Sequence, residues 1–316
     1  AATLYVRRGA EVEMKSFGLA ESEQAIFLLA SISKTMSATG LMVLADAEEL
    51  RLSDKVMKFI PEFSEGDRKN ITIQQLLTHT SGLPDQLPQN SALRKRHAPL
   101  SEFVKEAIRT PLLFKPGTQY SYQSMGILLA AEVAQRITQT PFPEFLRDHV
   151  FQPLDMKRTA LNLGPFQLSD TVRSQTEYAA PESGSGSEEA KDWDWNSPYW
   201  RNLGAPWGGA HGTAPDVARF LESFLNPKGQ VIREETARNM IRNHNGNLAP
   251  RGLGFDLRPG RYGQNCSTNT FGHGGSTGTL AWADPESERV CVILTSLPAR
   301  KSGDLILKPV SDIVSS

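Results

Sequence analysis

Strand-like segments stand at the two ends of this chain and helical spacing fills its middle, so any sheet it makes must join its first residues to its last. Residues 3–7 alternate like a strand, and 11–17 follow as a hairpin partner, with Gly9 free to turn. Near the other end, 279–283 and 289–296 read as strands around a turn at 284–288 that contains Asp-Pro. Residues 253–257 are a further strand candidate, and 305–314 carry the apolar spacing of a short helix. Between the ends, 31–50 read as a helix, because Leu41, Leu44 and Ala45 fall at helical spacing behind Ser31, a favourable N-cap type. Shorter helices are expected at 71–77, opened by Thr72, at 101–109 and at 125–136, with Pro111, Pro116, Pro141, Pro143 and Pro153 punctuating them. The expectation is an α+β fold in which a mainly helical domain is inserted into an antiparallel sheet domain.

Composition narrows the function classes. A chain of 316 residues can bury a core without disulfide staples. Its two cysteines, Cys266 and Cys291, exclude a disulfide-rich scaffold and a four-cysteine zinc site. Lys plus Arg is 34 against 35 Asp plus Glu, a balance that argues against nucleic acid as a partner. No apolar run approaches the roughly 18 residues of a membrane span. No secretory signal precedes the first strand, and a strand opening at residue 3 suggests a trimmed N-terminus, so the compartment is not read from this end.

The chemistry starts at Ser31-Ile32-Ser33-Lys34, preceded by the apolar run Phe27-Leu28-Leu29-Ala30. A Ser and a Lys three apart on a helix share one face. Burial disfavours the charged form of a lysine, which suits it as a base for an otherwise weak Ser nucleophile. A helix N-terminus adds a dipole that favours negative charge on Ser31. Alone, Ser-x-x-Lys is a common chance match. Three further segments accompany it in order: 71–84, containing Leu76-Leu77-Thr78-His79-Thr80-Ser81-Gly82; 115–124, containing Tyr120-Ser121-Tyr122-Gln123-Ser124; and 271–279, containing Gly272-His273-Gly274-Gly275-Ser276.

This ordered set resembles the serine β-lactamase and penicillin-binding-protein superfamily on its class C side, which includes class C β-lactamases, D-Ala-D-Ala carboxypeptidases and family VIII carboxylesterases. The likeness runs from residue 3 to about 297, supported by lesser matches at 151–159 and 208–220. It implies a β-lactamase/transpeptidase-like fold: an antiparallel sheet flanked by terminal helices, formed by residues 1–50 and 205–316, with a helical domain at 51–204 and the active site at the seam. It implies Ser31 as the acylated nucleophile, Lys34 as its base partner, and Tyr122 as the proton shuttle beside a Lys34 ammonium that favours its phenolate form. The backbone N–H groups of Ser31 and Ser276 would form the oxyanion hole, with Gly274 and Gly275 allowing close approach to substrate. His273 would place a donor near a substrate carboxylate or the tyrosine. Ser124 stands where the family's Tyr-x-Asn motif has the Asn that holds a peptide or β-lactam side chain. A hydroxyl lacks the paired donor and acceptor of an amide, although Gln123 could partly stand in. The expected function is therefore a serine hydrolase on small esters, with β-lactamase or D-Ala-D-Ala carboxypeptidase as the alternative and a non-catalytic binding homologue as a second. A small ester or amide is the expected partner, and no cofactor or metal is expected, since His211 and His244 lack ligand spacing.

Other features receive plainer readings. Gly274-Gly275-Ser276-Thr277-Gly278 matches a nucleophile elbow, but that motif needs a following helix and a later His, and all six histidines precede Ser276. His79 is read as a loop-fixing residue, Cys291 as a core thiol, and Arg94-Lys95-Arg96-His97 as a solvated basic run. Residues 181–191 read as a flexible low-complexity loop. Trp193, Trp195, Trp200 and Trp207 are expected either to pack a long loop or to wall an apolar substrate group.

Overall fold

The two ends of the chain pair directly. The computed structural model describes residues 1–316. Strands β1 (Ala2–Arg8) and β2 (Glu11–Phe17) form the hairpin. Two short strands, β3 (Phe27–Leu28) and β4 (His211–Gly212), pair separately. Strands β5 (Phe271–Gly275), β6 (Thr279–Asp284) and β7 (Arg289–Thr295) complete an antiparallel sheet in the order β2-β1-β7-β6-β5. β1 meets β7 with Val6 opposite Cys291.

Both faces of this sheet are covered, which explains the nearly continuous apolar run of β7. Val290, Val292 and Leu294 point into the main core, whereas Cys291 and Ile293 join Val6, Leu280 and Trp282 in a second cluster on the opposite face.

The helices are α1 (Ser33–Asp46), α2 (Ile73–Leu77), α3 (Asn90–Lys95), α4 (Leu100–Arg109), α5 (Met125–Thr138), α6 (Phe142–Leu146), α7 (Pro198–Asn202), α8 (Ala214–Leu225), α9 (Glu234–Met240), α10 (Ala299–Ser302) and α11 (Lys308–Ser315). Helix α8 packs on β6 and β7 through the face that buries Phe220 and Phe224. On the other face, α11 meets Trp282, whose Nε1 donates to Ser311 Oγ at 2.7 Å. Helix α5 is buried almost all round and packs against α1, α2 and α4. Thr72 caps α2 reciprocally with Gln75, so this helix start follows from local sequence alone. No helix is long and apolar enough to cross a membrane.

Two expectations fail here for identifiable reasons. Residues 253–257 make isolated bridges, Arg251 to Asp256 and Asp256 to Gly272, and no strand. Gly254 lies on the N-terminal part of α1 with φ +82°, and a Cβ there would sit 2.6 Å from Ala38 Cβ, so the segment bends over the helix. Residues 181–191 are folded into two 3₁₀ turns, Pro181–Ser183 and Glu188–Ala190, that bury Ser183 and Ala190. Trp193 fastens the second turn, its Nε1 donating to the Glu189 carbonyl at 2.9 Å.

Candidate active site

Strand β3 carries the chain inward to a single 3₁₀ turn, Ala30–Ile32, just before α1. Ala30 adopts φ +48°, left-handed and uncommon for a residue with a Cβ, and this bend presents Ser31 at the edge of a cleft. The N-cap role expected of Ser31 is not found: its side chain caps nothing, because the α-helix starts only at Ser33. Instead, Ser31 Oγ accepts from Lys34 Nζ at 3.0 Å. Lys34 is 1 % exposed, and its other hydrogen bond goes to the Trp207 carbonyl at 2.9 Å. It forms no ion pair, so no carboxylate holds its ammonium.

The Trp207 carbonyl is brought there by serines that the sequence reading passed over. Ser33 Oγ donates to the Ala30 carbonyl at 2.6 Å and accepts from the Ala210 N–H at 2.9 Å. Ser37 Oγ donates to the Pro206 carbonyl at 2.7 Å. Their i, i+4 spacing on the buried face of α1 was the available signal, pointing at a backbone segment docked there.

Tyr122 lies on the same cleft. Lys34 Nζ sits over its ring, 4.8 Å from the centroid, and no hydrogen bond ties its hydroxyl to Lys34 or Ser31. The ring is also flanked by His79 at 4.7 Å, His273 at 6.0 Å and the Arg251 guanidinium at 5.4 Å. Burial, with Arg251 and Lys34 adding to it, drives His79 well below the usual imidazole range. Its Nδ1 accepts from the Gln123 N–H at 3.3 Å, and the Ser121 N–H donates to its carbonyl at 3.1 Å, so it fixes the loop that carries Tyr122.

His273 departs from expectation. Burial first, then the charges of Arg251 and Lys34, lower its pKa to about 3, so the ring is neutral. Its Nδ1 lies 2.7 Å from the Gly274 carbonyl, which can only accept, so Nδ1 carries the proton. Nε2 is then an acceptor, without a partner in the protein. His273 therefore offers the cleft no donor and no charge. A second buried cation beside the tyrosine, with Lys34, is Arg251, 1 % exposed, 3.5 Å from Asp256. Burial pushes the Asp256 carboxyl up, but hydrogen bonds from Arg258 and the charge of Arg251 outweigh it and lower its pKa to about 2. Nothing in the local sequence around Arg251 marks it, because its neighbours come from other segments.

The end of β5 is drawn against the residues before Ser31. Thr277 Oγ1 donates to the Leu28 carbonyl at 2.7 Å and Thr279 Oγ1 to the Leu29 carbonyl at 2.9 Å. A Cβ on Gly275 would lie 2.5 Å from the Leu29 carbonyl oxygen, so only glycine permits this approach. Ser276 then faces Ser31 across the cleft, and its N–H donates to no protein acceptor. The cleft encloses about 630 Å³ and is lined by Ser31, Tyr122, His273, Gly274, Ser276 and Arg258.

Ser124 opens α5, and its Oγ donates to Asp85 Oδ1 at 2.6 Å. Trp193, Trp195, Trp200 and Trp207 are all buried, and the last three wall a smaller cavity that also reaches Ser31 and Ser276. The packing reading of the tryptophan segment is what the burial shows. Arg94 corrects the solvated basic run: Lys95, Arg96 and His97 are exposed, but Arg94 is 2 % exposed and lines the same small cavity.

A family model described as Beta-lactamase matches residues 1–309. The chain belongs to the β-lactamase family. It has that family's β-lactamase/transpeptidase-like fold. It is 26% identical to Protein flp of Staphylococcus aureus (strain MW2) over 76% of its own length and 48% of that protein's. It is 24% identical to PbpX of Bacillus subtilis (strain 168) over 82% of its length and 62% of that protein's. The chain thus spans about half to three-fifths of these relatives. Among solved structures, EstCE1, described as a hydrolase with promiscuous acyltransferase activity, superposes with a TM-score of 0.79 at 21% identity, covering 100% of this chain and 93% of that one. The D-amino acid amidase of Ochrobactrum anthropi SV3 gives a TM-score of 0.75 at 21% identity, covering 99% and 93%.

Proposed function

We propose that this protein is a carboxylesterase that works through an acyl-enzyme on Ser31. The observation that carries the reading is the 3.0 Å contact between Lys34 and Ser31 in a buried setting without a carboxylate. With Lys34 as the neutral amine, the Ser31 hydroxyl donates along this contact. Its proton passes to Nζ as Oγ bonds to the ester carbonyl carbon. The oxyanion collects between the N–H groups of Ser31 and Ser276. Collapse breaks the bond to the alkoxide, which takes its proton from Tyr122, and Lys34 restores that proton. Water then attacks the acyl group by the reverse path, giving the acid and free Ser31. Gly274 and Gly275 keep this edge open to the substrate.

The preference for esters rests on Ser124. Its one proton is committed to Asp85, so the position cannot donate to an amide side chain and lacks the paired donor and acceptor of an asparagine. The β-lactamase or D-Ala-D-Ala carboxypeptidase reading is the alternative, favoured by the family itself. Short p-nitrophenyl esters and nitrocefin separate the two, with ester turnover expected to dominate. Ser124→Asn should raise β-lactam acylation by about ten-fold, as restored amide pairing would. Nitrocefin turnover equal to ester turnover in the unaltered protein would instead make it a β-lactamase.

A further inference from the structure

Arg94, the fifth residue of α3, is buried without an anion. Its guanidinium lies over the Trp200 ring, 4.0 Å from the centroid. Its one hydrogen bond is long, Nη1 to the Glu182 carbonyl at 3.4 Å, and Nε has no partner. It forms no ion pair, whereas Arg96 pairs with Glu102 at 3.5 Å. Asp85 takes the Ser124 hydroxyl and does not pair with Arg94. Burial lowers the Arg94 pKa to about 10, against the charge of Glu182. A guanidinium taken out of water with Nε idle and Nη1 on one long bond is held at a cost that a bound anion removes.

The cavity beside Arg94 encloses about 60 Å³ and is walled by Ser31, Ser276, Ser124, Trp195, Trp200 and Trp207. A single water needs about 10–15 Å³ of such space, so there is room for a carboxylate group. The side of the nucleophile matters. Tyr122, which must protonate the departing alcohol, lies on the larger cleft and not on this cavity. The alcohol leaves on the Tyr122 side, and the acyl chain takes the Arg94 side.

We propose that Arg94 binds an anionic terminus of the acyl group, so that the preferred substrates are monoesters of short dicarboxylic acids whose far carboxylate enters this cavity. The proposal rests on the esterase reading of Ser31, and its test separates the two. The rate at which a fluorophosphonate labels Ser31 is measured with competing monoethyl succinate or its neutral isostere, ethyl 4-methylpentanoate. In the unaltered protein, monoethyl succinate should protect Ser31 at concentrations about ten-fold or more below the isostere, the range of a charge-assisted bidentate contact. Arg94→Gln should bring the two esters level, and Arg94→Lys should keep part of the preference. Equal protection by the two esters in the unaltered protein, or protection only by the isostere, overturns the Arg94 proposal while labelled Ser31 keeps the esterase reading. A folded protein whose Ser31 is not labelled overturns both. Because the unaltered protein decides, a variant that fails to fold does not remove the test.

Discussion

Two arginines packed with the tryptophan-rich segment, one on it and one beside it, are equally hidden and differently served. Arg201, on α7, is 1 % exposed, and Arg94 is 2 % exposed. Around Arg201 every donating arm finds an oxygen: Nε donates to the Trp195 carbonyl, Nη1 to Thr171 Oγ1 at 3.2 Å, and Nη2 to the Val172 carbonyl at 3.1 Å and Asn196 Oδ1 at 3.2 Å. Around Arg94 there is one long contact and a tryptophan face. Burial is the same in the two regions, and satisfaction is not. The first arrangement ties loop 171–201 together, while the second leaves a cation facing a cavity that reaches the nucleophile.

The sharpest way to break this comparison is to remove each guanidinium. Arg201→Met should cost about 3 kcal/mol in urea unfolding, since it strands buried acceptors in the loop. Arg94→Met should stay within about 1 kcal/mol of the unaltered protein, because it removes a charge that nothing in the free protein neutralises. If the second variant unfolds as easily as the first, Arg94 is a structural strut and the contrast is gone.

Acid should weaken both regions. Burial, helped by Arg201, lowers the pKa of His211 to about 3, and burial, helped by Arg251 and Lys34, does the same for His273. The unfolded chain takes up these protons near pH 6.5, and the folded chain refuses them until about pH 3. Stability from these groups is therefore complete above about pH 6.5 and is lost as pH falls toward 3, with a slope of up to about 1.4 kcal/mol per pH unit for each. The thermal midpoint should be lower at pH 5 than at pH 7.5. In Arg201→Met the fall should be smaller, because His211 loses a repelling charge. An unchanged midpoint between the two pH values would contradict the neutral assignment of these rings.

The smallest effect is expected at Asp85. Asp85→Asn keeps an acceptor for Ser124 Oγ but removes a negative charge near the small cavity, so the preference for an anionic ester should rise by about two- to three-fold. A falling preference would mean that Asp85 helps to position the acyl group.

Much of the frame was legible because it is local. The hairpin follows from alternation around Gly9, the start of α2 from Thr72 and Gln75, and the Ser31–Lys34 pair from its spacing taken with the three ordered segments that accompany it. What stayed hidden depends on segments distant in sequence. Arg251 meets Tyr122 from 129 residues away in number, the Trp207 carbonyl reaches Lys34 from a loop docked by Ser33 and Ser37, and Asp85 finds Ser124 from 39 residues away, with α3 and α4 between. Arg94 was masked by its exposed neighbours Lys95 and Arg96, although the phase of α3 turns it inward beside Leu93. His273 could be located but not oriented, since the bond from its Nδ1 to the next carbonyl is a matter of rotamer.

The central claim is that Ser31 is the residue acylated, and mass spectrometry of the protein quenched during turnover of a p-nitrophenyl ester tests it most directly. An acyl adduct on the peptide bearing Ser31, absent from Ser31→Ala along with all turnover, is the predicted result. An adduct on Ser276, or undiminished acylation and turnover in Ser31→Ala, would contradict it.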